Sequence, residues 1–372
     1  MTYTVDCDHS TRRSLAIFLW KHLDSSHLAI TEILERQTIQ GLEERWRELQ
    51  ELHALPSIQS ACSQGKEIEF ECKARNKSIL CPGDPLYPPK LYDMHRPPVL
   101  CVCGNPGILR SLQIAIVGSR KTIDEANKIT PMIADDVICR GFIITSGGAL
   151  GIDALAHRQA IKRNQPTIVV SATGVDNIYP KENADIFDYA KQNGAIVSQY
   201  NKPPQRHSPN FPRRNDIIAA LSQATIIIQS KIGGGALYTA KAANRFNRPV
   251  LVAAMPGFND LTEGGWQLVK TQKAKLISDL QDLNALTPQT QQTIHFGTFQ
   301  ERVIPAQKPT LTHNNTQLTP TKNDIIELLA KSPMTRDQIR TNTQYPNDFD
   351  EAVLELELAG MIQFVAGRYC KP

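Results

Sequence analysis

Ile114-Ala115-Ile116-Val117-Gly118-Ser119-Arg120-Lys121 is an unbroken apolar run closed by a glycine turn and two cations. An apolar run without polar alternation predicts a strand buried on both faces, as a parallel sheet requires. The pattern returns at residues 142–145, 167–172, 195–198, 225–229 and 250–253, and helical periodicity fills 124–140, 152–163, 182–193 and 236–247 between them. Strand, crossover helix and strand repeated in this way predict a doubly wound α/β fold with a mostly parallel sheet.

On either side of this core the composition changes. Residues 10–60 carry Ile30, Ile33, Leu34, Trp46, Leu49 and Leu52 at helical spacing, which predicts a small helical domain over 1–80. Residues 81–89 are dense in Pro, Gly and Asp and place a boundary there, so the core is expected over 81–283. Residues 284–320 turn to Gln, Thr, Asn and Pro, too poor in apolar surface to offset ordering entropy, and predict a flexible linker. From 321 to 372, three short helical patterns followed by residues 361–365 and 367–369 predict a winged helix.

With 372 residues, 41% hydrophobic and 21% charged, the chain has the composition of a soluble globular protein of two or three domains. No apolar run approaches the ~18–20 residues of a membrane helix, which argues against a membrane association. Thr11-Arg12-Arg13-Ser14 faintly resembles a twin-arginine signal, but its apolar run stops at Lys21 and no small-residue cleavage site follows, so a cytoplasmic location is expected. The eight cysteines include no CxxC pair and no His or Cys cluster accompanies them, which predicts reduced thiols and no metal site. Cys101 and Cys103 should share one face of a strand.

Charge is unevenly placed. Residues 1–82 carry ten Lys and Arg against twelve Asp and Glu, and 321–372 carry six against eight, each a net −2. Residues 206–248 carry seven cations against Asp216 alone, a net +6. Such a patch suits a polyanion, with nucleic acid the commonest client. The negative winged-helix segment argues against strong phosphate contact of its own.

Ligands of open α/β sheets bind outside the carboxyl ends of the strands. The first turn there offers Ser119, Arg120 and Lys121 at a helix start that favours anions. The second, Ser146-Gly147-Gly148-Ala149-Leu150-Gly151-Ile152-Asp153, lets a backbone come close to phosphate or sugar. Asp153 and His157, four apart, are read as a structural helix pair facing one another. The turn after the fourth strand, Asn210-Phe211-Pro212-Arg213-Arg214-Asn215-Asp216, sets an aromatic beside two guanidinium groups, a combination suited to single-stranded nucleic acid. Lys231, Gly234 and Gly235 open a further anion-compatible nest. There is no GxGxxG, Walker A or GxSxG sequence and no paired carboxylate or metal-ligand set, so these loops are expected to bind rather than react, without a cofactor.

In this order the loops resemble the DNA-processing protein A family, also called Smf. The matching stretches are Pro82-Gly83-Asp84 with Tyr87-Pro88, Gly118-Ser119-Arg120, Ser146 to Asp153 with Ala156-His157, Tyr179-Pro180, Phe211 to Asn215, Leu221-Ser222, and Gly234-Gly235-Ala236-Leu237 with Thr239-Ala240. The resemblance implies an extended Rossmann fold flanked by a SAM-like helical module and a winged-helix module. It also implies a homodimer through the core that binds single-stranded DNA and loads the RecA recombinase in natural transformation. Arg120 would pair with phosphate, the loop from Ser146 to Gly148 would line the pocket, and Phe211 would contact a base. Gln199, Asp216 and Gly234 depart from the family pattern, and Asp216 would repel phosphate if it pointed into the pocket. The alternative is an enzyme or sensor for a nucleotide derivative of the LOG type. That group's loop carries Thr and Glu, and both are missing from Gly233-Gly234-Gly235-Ala236-Leu237-Tyr238.

Overall fold

A computed structural model describes residues 9–23, 27–35, 39–202, 210–255, 260–286, 319–344, 349, 352, 353, 356, 361–365 and 368–371. They fall in two compact units, Met1–Thr290 and Gln291–Pro372. In the first, α1 (His9–His22), α2 (His27–Glu35), α3 (Ile39–His53) and α4 (Ile58–Ala74) precede β1 (Lys77–Leu80) and β2 (Leu100–Gly104). There follow β3 (Gln113–Val117), α5 (Asp124–Cys139), β4 (Ile143–Ser146), α6 (Ile152–Lys162), β5 (Thr167–Val170), α7 (Ala184–Asn193) and β6 (Ala195–Ser198). The unit continues with α8 (Asn210–Leu221), β7 (Ala224–Ile227), α9 (Gly235–Arg245), β8 (Val250–Ala253), α10 (Glu263–Lys270) and β9 (Lys275–Ile277). Every strand and helix expected between residues 114 and 253 is present.

The strands form one sheet in the order β1-β2-β6-β5-β4-β3-β7-β8-β9. Neighbours from β6 to β9 run parallel, while β2 is antiparallel to both β6 and β1. From β3 the chain builds outward through β4, β5 and β6, then returns to β3's other side to lay down β7, β8 and β9. That reversal creates a topological switch point between β3 and β7.

Both faces of the sheet are covered, which is why its strands lack polar alternation. Ala115, Val117, Val170, Val197 and Val252 share a core with residues of α8 and α9. Their neighbours Ile114, Ile116, Ile226 and Leu251 pack with residues of α5 and α6 on the other side. A third cluster joins Leu15, Ile17, Leu19, Ile33, Trp46 and Leu49 of the first helices to Val169, Phe187 and Ile196. The helices before residue 80 and the sheet after it therefore share apolar contacts. The Trp20 ring N–H also donates to the Gln199 carbonyl at 2.7 Å. β1 lies on the N-terminal side of the turn-rich stretch expected to divide the two and is part of the sheet.

One expectation changes. Residues 210–216 are not a turn but the first turns of α8. Pro212 reads as a breaker, yet in a helix's first turn the missing N–H has no intrahelical partner to lose.

In the second unit, α11 (Pro320–Lys331) and α12 (Arg336–Asn342) precede the antiparallel hairpin of β10 (Gln363–Val365) and β11 (Arg368–Cys370). Thr335 and Gln338 close a capping box at the start of α12. Ile325, Leu329, Ile339, Ala352, Val353, Leu356 and Tyr369 form the core of this unit. Most of the third helix and of the linker expected over 284–320 lie outside the described residues. Among the described residues no helix is long and apolar enough to cross a membrane.

Candidate functional site

At the switch point the turns after β3 and β7 are tied to one another. Ser119 N–H donates to the Gln229 carbonyl at 2.8 Å. The Ser119 hydroxyl donates to the Lys121 carbonyl at 2.6 Å and accepts the Lys121 N–H at 3.2 Å, so it folds the turn it belongs to. The Gln229 amide, itself buried, donates to the Lys121 carbonyl at 3.1 Å and accepts from Ile123 N–H at 3.2 Å. Arg120 and Lys121 are left exposed at the mouth of the crevice.

The glycine loop after β4 is fastened from below by three side chains. Asp153 Oδ2 accepts from the Gly147 and Ala149 N–H groups at 3.1 and 3.3 Å. Asn183 Nδ2 donates to the Gly148 and Ala149 carbonyls at 2.9 and 3.0 Å. Arg214 Nη1 donates to the Gly147 and Val170 carbonyls at 2.7 and 2.6 Å. A Cβ on Gly147 would lie 2.1 Å from that Nη1, so the guanidinium needs glycine there. Gly148 adopts φ +69°, and Ser146 Oγ donates to the Ile116 carbonyl at 2.6 Å. Burial holds the Asp153 carboxyl above its ordinary range and lowers the Arg214 guanidinium, each countered by the other's charge.

Asp153 and His157 thus have separate partners. The carboxylate holds loop amides, whereas His157 Nδ1 shares a 2.7 Å hydrogen bond with Thr167 Oγ1. His157 Nε2 is buried with no hydrogen-bond partner among the described residues. Burial, with Arg214 and Arg158 nearby, pushes the imidazole down to about 3.

Consecutive residues at the start of α8 serve opposite sides of the helix. Phe211 is half-buried, with the Arg120 guanidinium 5.7 Å from its ring centroid. Tyr179 meets the same ring edge-on, with centroids 5.8 Å apart and planes at 66°. Tyr179 is 51% exposed, so the aromatic pair faces solvent rather than core. Arg213 is half-buried, with its charge near Tyr200 and Asp216, while Arg214 turns inward. Asn215 accepts from Arg214 Nε at 3.0 Å and donates to the Gly235 carbonyl at 3.3 Å, tying α8 to the start of α9. There Lys231 and Gly235 are exposed, and a Cβ on Gly234 would lie 2.7 Å from Ser230 Oγ.

The departures from the family pattern now have partners. Asp216 is buried in an ion pair with Arg245 at 2.8 Å, which occupies its carboxylate. Gln199 Nε2 donates to the Tyr200 hydroxyl at 2.7 Å, and that hydroxyl donates to the Asn210 carbonyl at 3.3 Å, at the first residue of α8.

The structure thus brings Arg120, Lys121 and Phe211 to one mouth. It makes Ser119, Ser146, Gly147, Gly148, Arg214 and Asn215 the frame behind that mouth. Tyr179, Gln229 and Asn183 were not expected at the site. Only Tyr179 had a visible signal, in the Tyr179-Pro180 dipeptide. Among the described residues no group of three or more His, Cys, Asp or Glu could hold a metal ion.

Residues 78–288 match the family model of DNA recombination-mediator protein A. The chain is 32% identical over 316 residues to Protein Smf of Synechocystis sp., covering 78% of this chain and 79% of that protein. It is 34% identical over 205 residues to DNA processing protein DprA of Streptococcus pneumoniae, covering 54% and 71% of the two chains. The X-ray structure of the Streptococcus pneumoniae protein aligns with a TM-score of 0.56 at 27% identity, over 74% of this chain and 95% of that one. DNA processing protein A from Helicobacter pylori, whose structure was described for its single-stranded DNA binding mode, aligns with a TM-score of 0.51 at 30% identity, over 56% and 95%.

Proposed function

We propose, on the premise that the chain belongs to the DNA recombination-mediator protein A family, that it binds single-stranded DNA at the strand-end mouth where Arg120 meets Phe211. The observation that carries this reading is the Arg120 guanidinium set 5.7 Å from the centre of the partly exposed Phe211 ring. An unpaired base offers a π face to Phe211 and Tyr179, and its flanking phosphates meet Arg120, Lys121 and Lys231. Stacking of this kind tolerates any base, and phosphate pairing carries no sequence information. The likeness to the Helicobacter pylori protein supports the same reading.

The wider role follows from the family. The bound strand is protected and handed to the RecA recombinase during natural transformation or recombination, by a homodimer formed through the α/β core in the cytoplasm. We take the site to be non-catalytic and free of cofactor. Asp153 is committed to loop amides and Asp216 to Arg245, and the loop 233–238 has no carboxylate of its own. Release of a free base from a nucleoside monophosphate would favour the LOG-type alternative instead.

Fluorescence anisotropy of a labelled oligonucleotide, titrated at several salt concentrations, tests the binding reading. Arg120→Ala should weaken binding to every sequence and reduce the log–log salt slope by about one. Phe211→Ala should cost ~1–3 kcal/mol, roughly 5- to 150-fold, with the slope unchanged. Equal affinity for duplex and single strand, or two variants that bind as the parent does, would refute it.

A further inference from the structure

The aromatic pair at the mouth stands on two segments: residues 171–179 after β5 bring Tyr179, and the first turn of α8 brings Phe211. Residues 198–200, where β6 ends, are fastened to both. Ser198 Oγ donates to the Ser171 carbonyl at 2.8 Å and accepts the Tyr200 N–H at 3.1 Å. A Cβ on Gly174, at φ +86°, would lie 3.3 Å from the Tyr200 carbonyl, so the Tyr179 segment packs directly on residue 200. Asn210 joins the two segments: its side-chain amide donates to the Ala172 carbonyl at 3.3 Å, and its carbonyl accepts the Tyr200 hydroxyl at 3.3 Å. A glutamine amide nitrogen can only donate, so Gln199 Nε2, 2.7 Å from the phenol oxygen, leaves the phenol its own proton for Asn210. From the other side α1 grips the same stretch, with the Trp20 ring N–H on the Gln199 carbonyl at 2.7 Å and Asn201 Nδ2 on the Trp20 carbonyl.

We propose that Tyr200 is a positioning residue for single-stranded DNA binding, its hydroxyl holding the start of α8 so that Phe211 stays edge-on to Tyr179 and open to a base. This rests on the reading of the mouth as a single-stranded DNA site and adds to it a residue that acts through Phe211. The carbonyl that Tyr200 holds belongs to the peptide joining Asn210 to Phe211, so the bond acts one residue from the stacking ring. Without it that peptide is free to turn, and the ring leaves its place against Tyr179. Lys121 and the backbone beside Arg120 are held separately, by Ser119 and Gln229, and keep their positions. Loss of the hydroxyl therefore weakens base stacking and spares phosphate pairing.

A double-mutant cycle on the full chain, read by anisotropy of a labelled single strand, separates this role from plain packing. Tyr200→Phe should weaken binding roughly 3- to 10-fold, the size of one lost hydrogen bond, with the log–log salt slope unchanged. The same change should cost less than about twofold once Phe211 is alanine, and its full factor once Arg120 is alanine. Quenching of an aminopurine base within the saturated strand should fall in Tyr200→Phe, as it does in Phe211→Ala. Asn210→Ala, which frees the same turn from Ala172, should repeat the pattern and serves as the second variant should circular dichroism show Tyr200→Phe misfolded. Parental affinity in Tyr200→Phe while Phe211→Ala binds weakly would overturn this inference alone and leave the DNA-binding reading standing. An equal factor on the Phe211→Ala and Arg120→Ala backgrounds would also overturn it, since Tyr200 would then support the fold at large. If Phe211→Ala itself binds as the parent does, the reading of the mouth fails and this inference falls with it.

Discussion

Arg214→Met is expected to destabilise the first unit by about 3–5 kcal/mol, the usual consequence of removing one partner from a buried charge network. The lost Nη1 leaves the Gly147 and Val170 carbonyls without their donor at 2.7 and 2.6 Å. It also leaves the buried Asp153 carboxylate without the cation that counters its burial. Two loop amides still reach Asp153, which places the expected loss towards the lower end. Arg214→Lys should restore only part of the stability, since an ammonium cannot reproduce the planar fork. Urea unfolding followed by circular dichroism measures both. A methionine variant within about 1 kcal/mol of the parent would show that the guanidinium does not hold the glycine loop. Arg120→Ala, at an exposed position, should leave the unfolding midpoint nearly unchanged, so stability and affinity separate the inward from the outward arginine.

The second large effect is acid sensitivity centred on His157. In the fold this imidazole is neutral, pushed down to about 3 by burial and by the charges of Arg214 and Arg158, whereas in the unfolded chain it takes up a proton near pH 6.5. The unfolded state thus binds the additional proton between these two values. The neutral ring's contribution is complete above about pH 6.5 and is lost as the pH falls towards 3, by about 1.4 kcal/mol per pH unit, or some 3 kcal/mol by pH 4. Asp153 and Asp216, both raised by burial, act in the opposite sense in this range. The His157 part is therefore read as the difference between the parent and His157→Gln in urea titrations at pH 7, 5 and 4. A difference that stays constant with pH would show that His157 does not carry the effect.

The central strands were legible because burial on both faces removes polar alternation, and the sequence shows that directly in Ile114 to Val117. β2 was legible only as the strand that carries Cys101 and Cys103, and β1 and β9 were not, since Lys77–Leu80 and Lys275–Ile277 are short and begin on a lysine. At the site, residue types revealed which loops matter but not which way each side chain faces. Arg213 and Arg214 are neighbours of identical chemistry, and only the packing of α8 against β3 and β5 sends the second inward. Asp216 shows the same limit: it reads as a repulsive charge beside a phosphate until its pairing with Arg245 is seen. Tyr179 and Phe211 are separated by 32 positions in sequence, and their contact exists only after the strand-end loops have converged.

The core shared by α1, α3, Val169, Phe187 and Ile196 has a practical bearing on how this protein is made in the laboratory. A gene fragment trimmed to the family-matched residues 78–288 would retain every loop at the crevice yet uncover the apolar patch that the first helices cover. Such a patch invites clumping, so loss of DNA affinity in that fragment would report a sticky surface and not a missing contact.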